Sequence, residues 1–337
     1  MDNTFTSYKI EERSYASYIK REIHNHVVRA HFPETLIAEI DIIVSELSTN
    51  IIKHAGSGEL LFRVQNTNDR APVFEIVSID NGPGIADTVR MLRDGVSTTH
   101  TLGHGLGSIS RLSNLSQLYS IPGWGTILFA KVITKKQIDV ARPVGLELRA
   151  LCVNKPRETV CGDGYRVKHT RSEIMIFFGD GLGHGIHAKE AIDRAGDFFF
   201  EINESDPVEI IRQMHEHIRR TRGLVGTIAC CNFKSKEWRI CGVGNIFTKM
   251  YTGIEFKNYM PYNGAIGLNL PSSMKASHFP VENNQHLIMC SDGIQTRWDL
   301  NKYPSIMKYD NTILAAAIYK DYSRGNDDAS VLIAKVM

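Results

Sequence analysis

The stretch FFGDGLGHGIHAKEA, residues 177–191, ends an apolar run on an acidic residue, turns through glycines and enters a helix-like pattern. Two readings fit it. Gly181, Gly183 and Gly185 could cradle a phosphate with backbone N–H groups, as glycine-rich loops before helices do. Alternatively, Asp180 is the point: a carboxylate carried to a strand end where a hard metal ion binds. A second loop, TLGHGLGSISRL at 101–112, poses the same question, and its flanks differ so completely that the pair is no internal repeat.

Bulk properties bound the answer. A chain of 337 residues is too long for one ordinary core and implies two domains. Apolar content of 42% and charged content of 23% are those of a soluble globular protein. The formal charge of +2 gives no electrostatic case for nucleic acid or an acidic membrane, so neither is expected as a partner. No apolar run approaches the roughly 20 residues a membrane span needs. The polar start MDNTFTSYKIEERS is unlike a signal peptide. Six cysteines, at 152, 161, 230, 231, 241 and 290, lack zinc-ligand spacing. They read as small buried hydrophobes in a cytoplasmic protein.

The pattern changes near TKKQIDVARP. Before it, residues 14–31 and 33–55 carry helical periodicity, and ELLFRV (59–64), VFEIVSI (73–79), LSQLYSI and GTILFAKVI read as strands. After it, strands dominate at 144–153, 172–179, 225–233, 236–242, 246–251 and 286–291, with helices at 186–200, 207–221 and 311–320 before a closing strand ASVLIAKV. The expected domains are therefore 1–134 and 144–337, joined by a linker at 135–143, in an α+β chain.

Three features of the first half point to a nucleotide. In ELSTNIIKH, a helix puts Glu46, Asn50 and His54 on one face. The strand VFEIVSI delivers Asp80, a carboxylate suited to an exocyclic amine, and Gly82 and Gly84 let a base lie against the backbone. Gly103, His104, Gly105, Leu106 and Gly107 then open a helix whose free N–H groups suit phosphates. In this order and spacing, residues 10–134 resemble the GHKL (Bergerat) ATP-binding α/β sandwich, and within it the anti-sigma-factor serine kinases of the RsbW/RsbT type. The resemblance implies ATP and Mg²⁺, with Asn50 on the magnesium, Asp80 on adenine, 103–107 around the phosphates and Glu46 as general base. His54 is expected to be packed rather than functional.

In the second half, four acidic positions sit at strand ends: Asp163 in CGDGYRV, Asp180, Asp292 in HLIMCSDG, and the pair Asp327–Asp328 before ASVLIAKV. Convergent carboxylates of this kind hold divalent cations. The ordered set resembles the PPM (type 2C) serine/threonine phosphatases, especially their SpoIIE/RsbU/RsbX branch, over about 145–337. That implies an αββα sandwich with two antiparallel sheets and two Mn²⁺ or Mg²⁺ ions. Asp180 would bridge the ions, the Gly181 carbonyl would bind one, Asp292 and Asp327 would complete the second, and Asp163 would orient waters at the metals. Asp328 is the alternative to Asp327. His184 and His187 are expected to be positional or surface residues, since nitrogen suits magnesium poorly.

A kinase-like and a phosphatase-like half in one chain resemble the two arms of a partner switch acting on a STAS-domain protein. Two other readings stay open. The GHKL half could be a non-catalytic, nucleotide-dependent clamp that holds a sigma factor or docks the phosphatase, or the phosphatase could serve a small molecule.

Overall fold

The computed structural model describes residues 4–67, 70–88, 105–134, 145–170, 172–253 and 255–337. The expected linker 135–143 lies outside them, as do Gly103 and His104 of the first glycine loop. Two compact units emerge: Met1–Ala141 together with Leu300–Ala317, and Arg142–Asp299 together with Ile318–Met337.

The first unit runs β1 (Thr6–Ile10), α1 (Arg13–Arg29), α2 (Glu34–Asn50), β2 (Gly58–Thr67), β3 (Arg70–Asp80), α3 (Gly105–Leu112), β4 (Leu115–Ile121) and β5 (Gly125–Ile133). The strands form one antiparallel sheet in the order β1-β2-β3-β5-β4. Helical periodicity puts Ile19, Ile23 and Val27 of α1 and Ile40, Ile43, Val44 and Leu47 of α2 on inward faces. They share a core with Leu60, Phe62, Phe74, Ile76, Leu128 and Ala130 of the sheet. The helical run at 33–55 is not uniform: α2 ends at Asn50 and continues as a π turn over Ile51–Ala55. His54, expected to be packed, lies in that turn and is exposed.

The second unit begins with β6 (Leu146–Val153), β7 (Asp163–His169) and β8 (Glu173–Gly181), followed by α4 (Ile186–Glu201) and α5 (Pro207–His217). Next come β9 (Leu224–Asn232), β10 (Glu237–Val243), β11 (Phe247–Tyr251), β12 (Phe256–Tyr259), β13 (Ser277–Pro280) and β14 (His286–Cys290). Helix α6 (Asn311–Tyr322) starts in the first unit and ends in the second, before β15 (Ala329–Val336) closes the fold. Two five-stranded antiparallel sheets result, β13-β10-β9-β8-β7 and β12-β11-β14-β15-β6. Ile174, Ile176 and Phe178 of β8 face Leu287, Met289, Leu332 and Ala334 of the other sheet. The alternate residues Met175 and Phe177 pack under α4 and α5 with Ile192, Phe199, Ile211 and Met214. Covered on both sides, β8 has no polar period, which is why EIMIFF reads as a continuous apolar run. Each such buried side chain contributes roughly 1.5–3 kcal/mol relative to exposure.

Two boundary details have local causes. α5 starts where Asp206 caps it, its Oδ1 accepting the N–H groups of Val208 (2.7 Å) and Glu209 (3.3 Å), and it stops at His217, short of the expected 221. Strands β1, β7, β12 and β13 have no counterpart in the sequence expectation. All are edge strands of their sheets with mixed exposure, so their apolar alternation is weak. All six cysteines are buried and free, as expected.

Candidate functional site

In the first unit, Glu46 and Asn50 lie half-buried near the end of α2 and face the start of α3. A Cβ placed on Gly105 would stand 2.6 Å from Glu46 Oε2 and 3.9 Å from Asn50 Oδ1. Glycine at 105 is what lets the carboxylate occupy that space. Gly105, Leu106 and Gly107 form the first turn of α3, whose N–H groups and positive dipole end favour an anion. Asp80, at the end of β3, accepts the N–H groups of Gly82 (2.8 Å) and Thr126 (3.2 Å) on its Oδ1. Ser120 Oγ accepts Ile85 N–H (2.8 Å), donates to Gly125 O (2.7 Å) and lies 3.0 Å from Thr126 Oγ1. The DNGPG turn that contains Gly82 and Gly84 is thereby fastened to the β4–β5 hairpin. Thr126 was not among the sequence candidates. Its signal is its place, the second residue of the strand GTILFAKVI and the cross-strand partner of Asp80.

In the second unit, Asp163 and Asp180 are cross-strand partners on β7 and β8. Burial pushes the Asp163 carboxyl up to about 7; Ser291 Oγ–H, donating at 2.7 Å, opposes that rise, and the nearby charges of Asp328 and Asp292 add to it. Burial likewise raises Asp180 well above the carboxylate range, reinforced by Asp163, Asp292, Asp327 and Asp328. Asp328 is tied down: Lys155 N–H donates to Oδ1 (2.7 Å) and Gly162 N–H to Oδ2 (2.9 Å). Asp327 Oδ1 accepts the N–H of Asp328 (3.0 Å). Asp292 Oδ2 takes a hydrogen bond from Asn245 (3.0 Å), and its carbonyl one from Arg324 Nε (2.8 Å). A Cβ on Gly293 would meet Asp328 O at 1.9 Å, so the SDG turn needs glycine there.

The five carboxylates feel one another, yet among the described residues no three acidic, histidine or cysteine side chains close into a coordination shell. Their chemistry nevertheless fits hard divalent cations. The donors are all oxygen, none of the five carboxyls is in an ion pair among the described residues, and Asp163 Oδ1 is buried with no hydrogen-bond partner. His184 does not join them: its Nδ1 sits 2.6 Å from Glu158 Oε1, and His187 is exposed. Asn245, Ser291 and Arg324 escaped the sequence reading, because their roles come from loops brought together only by the fold.

Residues 11–135 match the family model of the histidine kinase-like ATPase domain, and residues 170–337 that of stage II sporulation protein E (SpoIIE). "Phosphoserine phosphatase RsbX" of Bacillus subtilis (strain 168) is 25% identical over 165 residues, 48% of this chain and 82% of the relative. "Serine/threonine-protein kinase RsbT" of the same organism is 38% identical over 90 residues, 26% of this chain and 66% of the relative. Among solved structures, one described as "The bacterial stressosome: a modular system that has been adapted to control secondary messenger signaling" is 27% identical. It aligns with 56% of this chain and 98% of its own at a TM-score of 0.52. RsbX in complex with magnesium gives the same TM-score at 20% identity, over 59% of this chain and 99% of its own, a likeness of fold. No helix among the described residues is long and apolar enough to cross a membrane.

Proposed function

The chain joins a histidine kinase-like ATPase domain to a SpoIIE-type phosphatase domain, and on that premise we propose that it sets the phosphorylation state of a STAS-domain protein in a partner-switching pathway. The C-terminal half removes phosphate from serine or threonine; the N-terminal half binds ATP with Mg²⁺ and phosphorylates the partner. The observation that carries the first activity is the group Asp163, Asp180, Asp292 and Asp327, oxygen donors gathered at or next to strand ends whose mutual repulsion and burial a bound cation would relieve.

In this reading Asp180, the Gly181 carbonyl, Asp292 and Asp327 would hold two Mn²⁺ or Mg²⁺ ions. When bound, the ions neutralise phosphoryl charge and lower the pKa of water. Asp163, held by Ser291, orients the water for in-line attack. The new P–O bond forms from the water oxygen as the bond to the seryl oxygen breaks, and the seryl oxygen leaves with a proton given up by that water. Asp328 keeps the Lys155–Gly162 loop in place. In the N-terminal half, Asp80 reads the adenine amine, Asn50 holds Mg²⁺, Glu46 takes the proton of the attacking hydroxyl, and the 103–107 loop holds the phosphates. The cytoplasm is the compartment this pairing calls for.

The test uses the full chain with Mn²⁺, ATP and candidate STAS proteins. Wild type is expected to release phosphate from the phosphorylated partner and Asp180→Asn to release none. Asp180→Asn should leave the partner phosphorylated, and Glu46→Ala should leave it unphosphorylated. Substantial phosphatase turnover in Asp180→Asn overturns the metal-site assignment. An Asp180→Asn protein that binds ATP yet labels no STAS protein overturns the kinase assignment, and the ATPase half is then a nucleotide-dependent clamp.

A further inference from the structure

We propose that Arg222 grips the phosphoryl oxygens of the substrate at the C-terminal site, a role that rests on the phosphatase reading above. Arg222 lies in the turn between α5 and β9, and two contacts fix the backbone there. Thr221 Oγ1 donates to Ile218 O (2.8 Å) and accepts Gly223 N–H (3.1 Å). Gly223 O accepts Leu182 N–H (3.0 Å), which ties the turn to the loop that follows Asp180. The guanidinium lies along that loop: Nη1 is 2.9 Å from where a Cβ on Gly183 would stand, and Gly183 has φ +88°. A side chain at 183 would push the guanidinium aside.

The cation is exposed and, among the described residues, has neither a hydrogen bond nor an ion pair. Arg220, two residues before it, is likewise exposed and unpaired but is not placed against the Asp180 loop, and four other arginines of the unit are engaged. Arg166 is paired with Asp193, Arg194 with Glu190, Arg219 with Glu216 and Arg239 with Glu173. An unpaired guanidinium beside the Asp180 loop keeps its planar fork of donors for an oxyanion, and that fork matches two phosphoryl oxygens at once. The surroundings suit a protein rather than a small phosphate ester. Leu268, 57% exposed, lies 3.0 Å from the Cβ position of Gly223, and Ile186, 72% exposed, follows the loop directly.

The experiment compares wild type, Arg222→Ala and Arg222→Lys in the full chain loaded with Mn²⁺. Three quantities are read: KM and kcat for a phosphoserine protein, inhibition by inorganic phosphate, and direct calorimetric binding of inorganic phosphate. Arg222→Ala is expected to raise KM and weaken phosphate binding by about 10- to 100-fold, the scale of a charge-assisted hydrogen bond. The effect on kcat should be smaller, Arg222→Lys should recover part of the loss, and Mn²⁺ affinity should stay at the wild-type value. Wild-type KM and wild-type phosphate affinity in Arg222→Ala overturn the proposal and leave the phosphatase reading standing. If the wild type hydrolyses no phosphoprotein, the phosphatase reading fails, and the calorimetric arm still decides whether Arg222 holds phosphate.

Discussion

Asp327 and Asp328 adjoin in sequence and differ in what they hold. The two oxygens of Asp328 accept the N–H groups of Lys155 and Gly162, while Asp327 stands half-buried beside them. Asp328→Ala leaves two N–H groups without partners and is expected to lower stability by about 1–3 kcal/mol. Asp327→Ala should change stability little and weaken Mn²⁺ binding. Chemical denaturation and Mn²⁺ titration of both variants check the pair, and equal behaviour would refute the division. The sequence shows that a DD pair precedes a strand, but which member turns toward the loop depends on a backbone 173 residues away. His286 gives a pH prediction. Burial, with help from Lys335, pushes its imidazole down to about 4. Above about 6.5, the unfolded value, it is neutral in both states and its contribution is complete. As pH falls from there toward 4, the unfolded chain takes the proton first and stability drops, by about 3 kcal/mol in all. Denaturant midpoints of wild type and His286→Leu between pH 7.5 and 4.5 isolate this histidine's contribution; parallel curves would contradict it.

At the scale of elements, β2, β3 and β5 are cross-linked by charge as well as by backbone. Arg63 pairs with Glu75 (Nη2–Oε2 2.6 Å) and Lys131 with Glu75 (Nζ–Oε1 2.8 Å), each on directly opposed strand positions. Burial alone would raise Glu75, but the two cations bring it down to about 2. Arg63 also lies 4.3 Å over the ring of Phe5. Glu75→Ala would strand a buried guanidinium and is expected to cost about 3–5 kcal/mol, whereas replacing Arg63 and Glu75 together by Met should restore much of that. Urea unfolding of the single and double variants reads this out, and a double variant no more stable than Glu75→Ala would sink the argument. Elements covered on both faces, such as β8, and helices with a clear stripe, such as α1, were legible in the sequence. The edge strands β1, β7, β12 and β13 were not, because many of their side chains meet water, whereas the edge strands β4 and β6 were read from their apolar content. Likewise Asp80 and the glycines of its turn carry a local pattern, while Thr126 and Ser120 join the site only through the pairing of β3, β4 and β5.

Across the whole molecule, chain order and compact units part company at Leu300–Ala317, which belongs with the first unit although it follows Asp292 and precedes Asp327 in sequence. Its contacts explain the grouping. Tyr119 O–H donates to Pro304 O (3.2 Å), Gln117 Oε1 accepts Asp310 N–H (2.6 Å), and the ring of Tyr119 meets Tyr309 edge-on with centroids 5.2 Å apart. Trp124 lies 5.7 Å from Tyr303. Gln117 shares a cross-strand row with Phe129, Val77 and Leu61, on the side of the sheet away from α1 and α2, and those three are fully buried. The unbroken apolar runs LLF of β2 and ILFA of β5 signal that this second face is covered, but nothing within residues 1–134 says by what, since the segment that meets Tyr119 and Gln117 comes from far along the chain. The fragment 1–134 is therefore expected to expose Leu61, Val77 and Phe129 as one apolar strip. It should bind an apolar dye and self-associate in sedimentation, and adding residues 300–317 as a peptide should reverse both effects. In the full chain, Tyr309→Ala should lower the thermal midpoint through loss of its ring contact with the buried Tyr119, and Tyr309→Phe should not. A fragment that stays monomeric, binds no dye and is indifferent to the peptide would mean that the strip is covered by something other than 300–317.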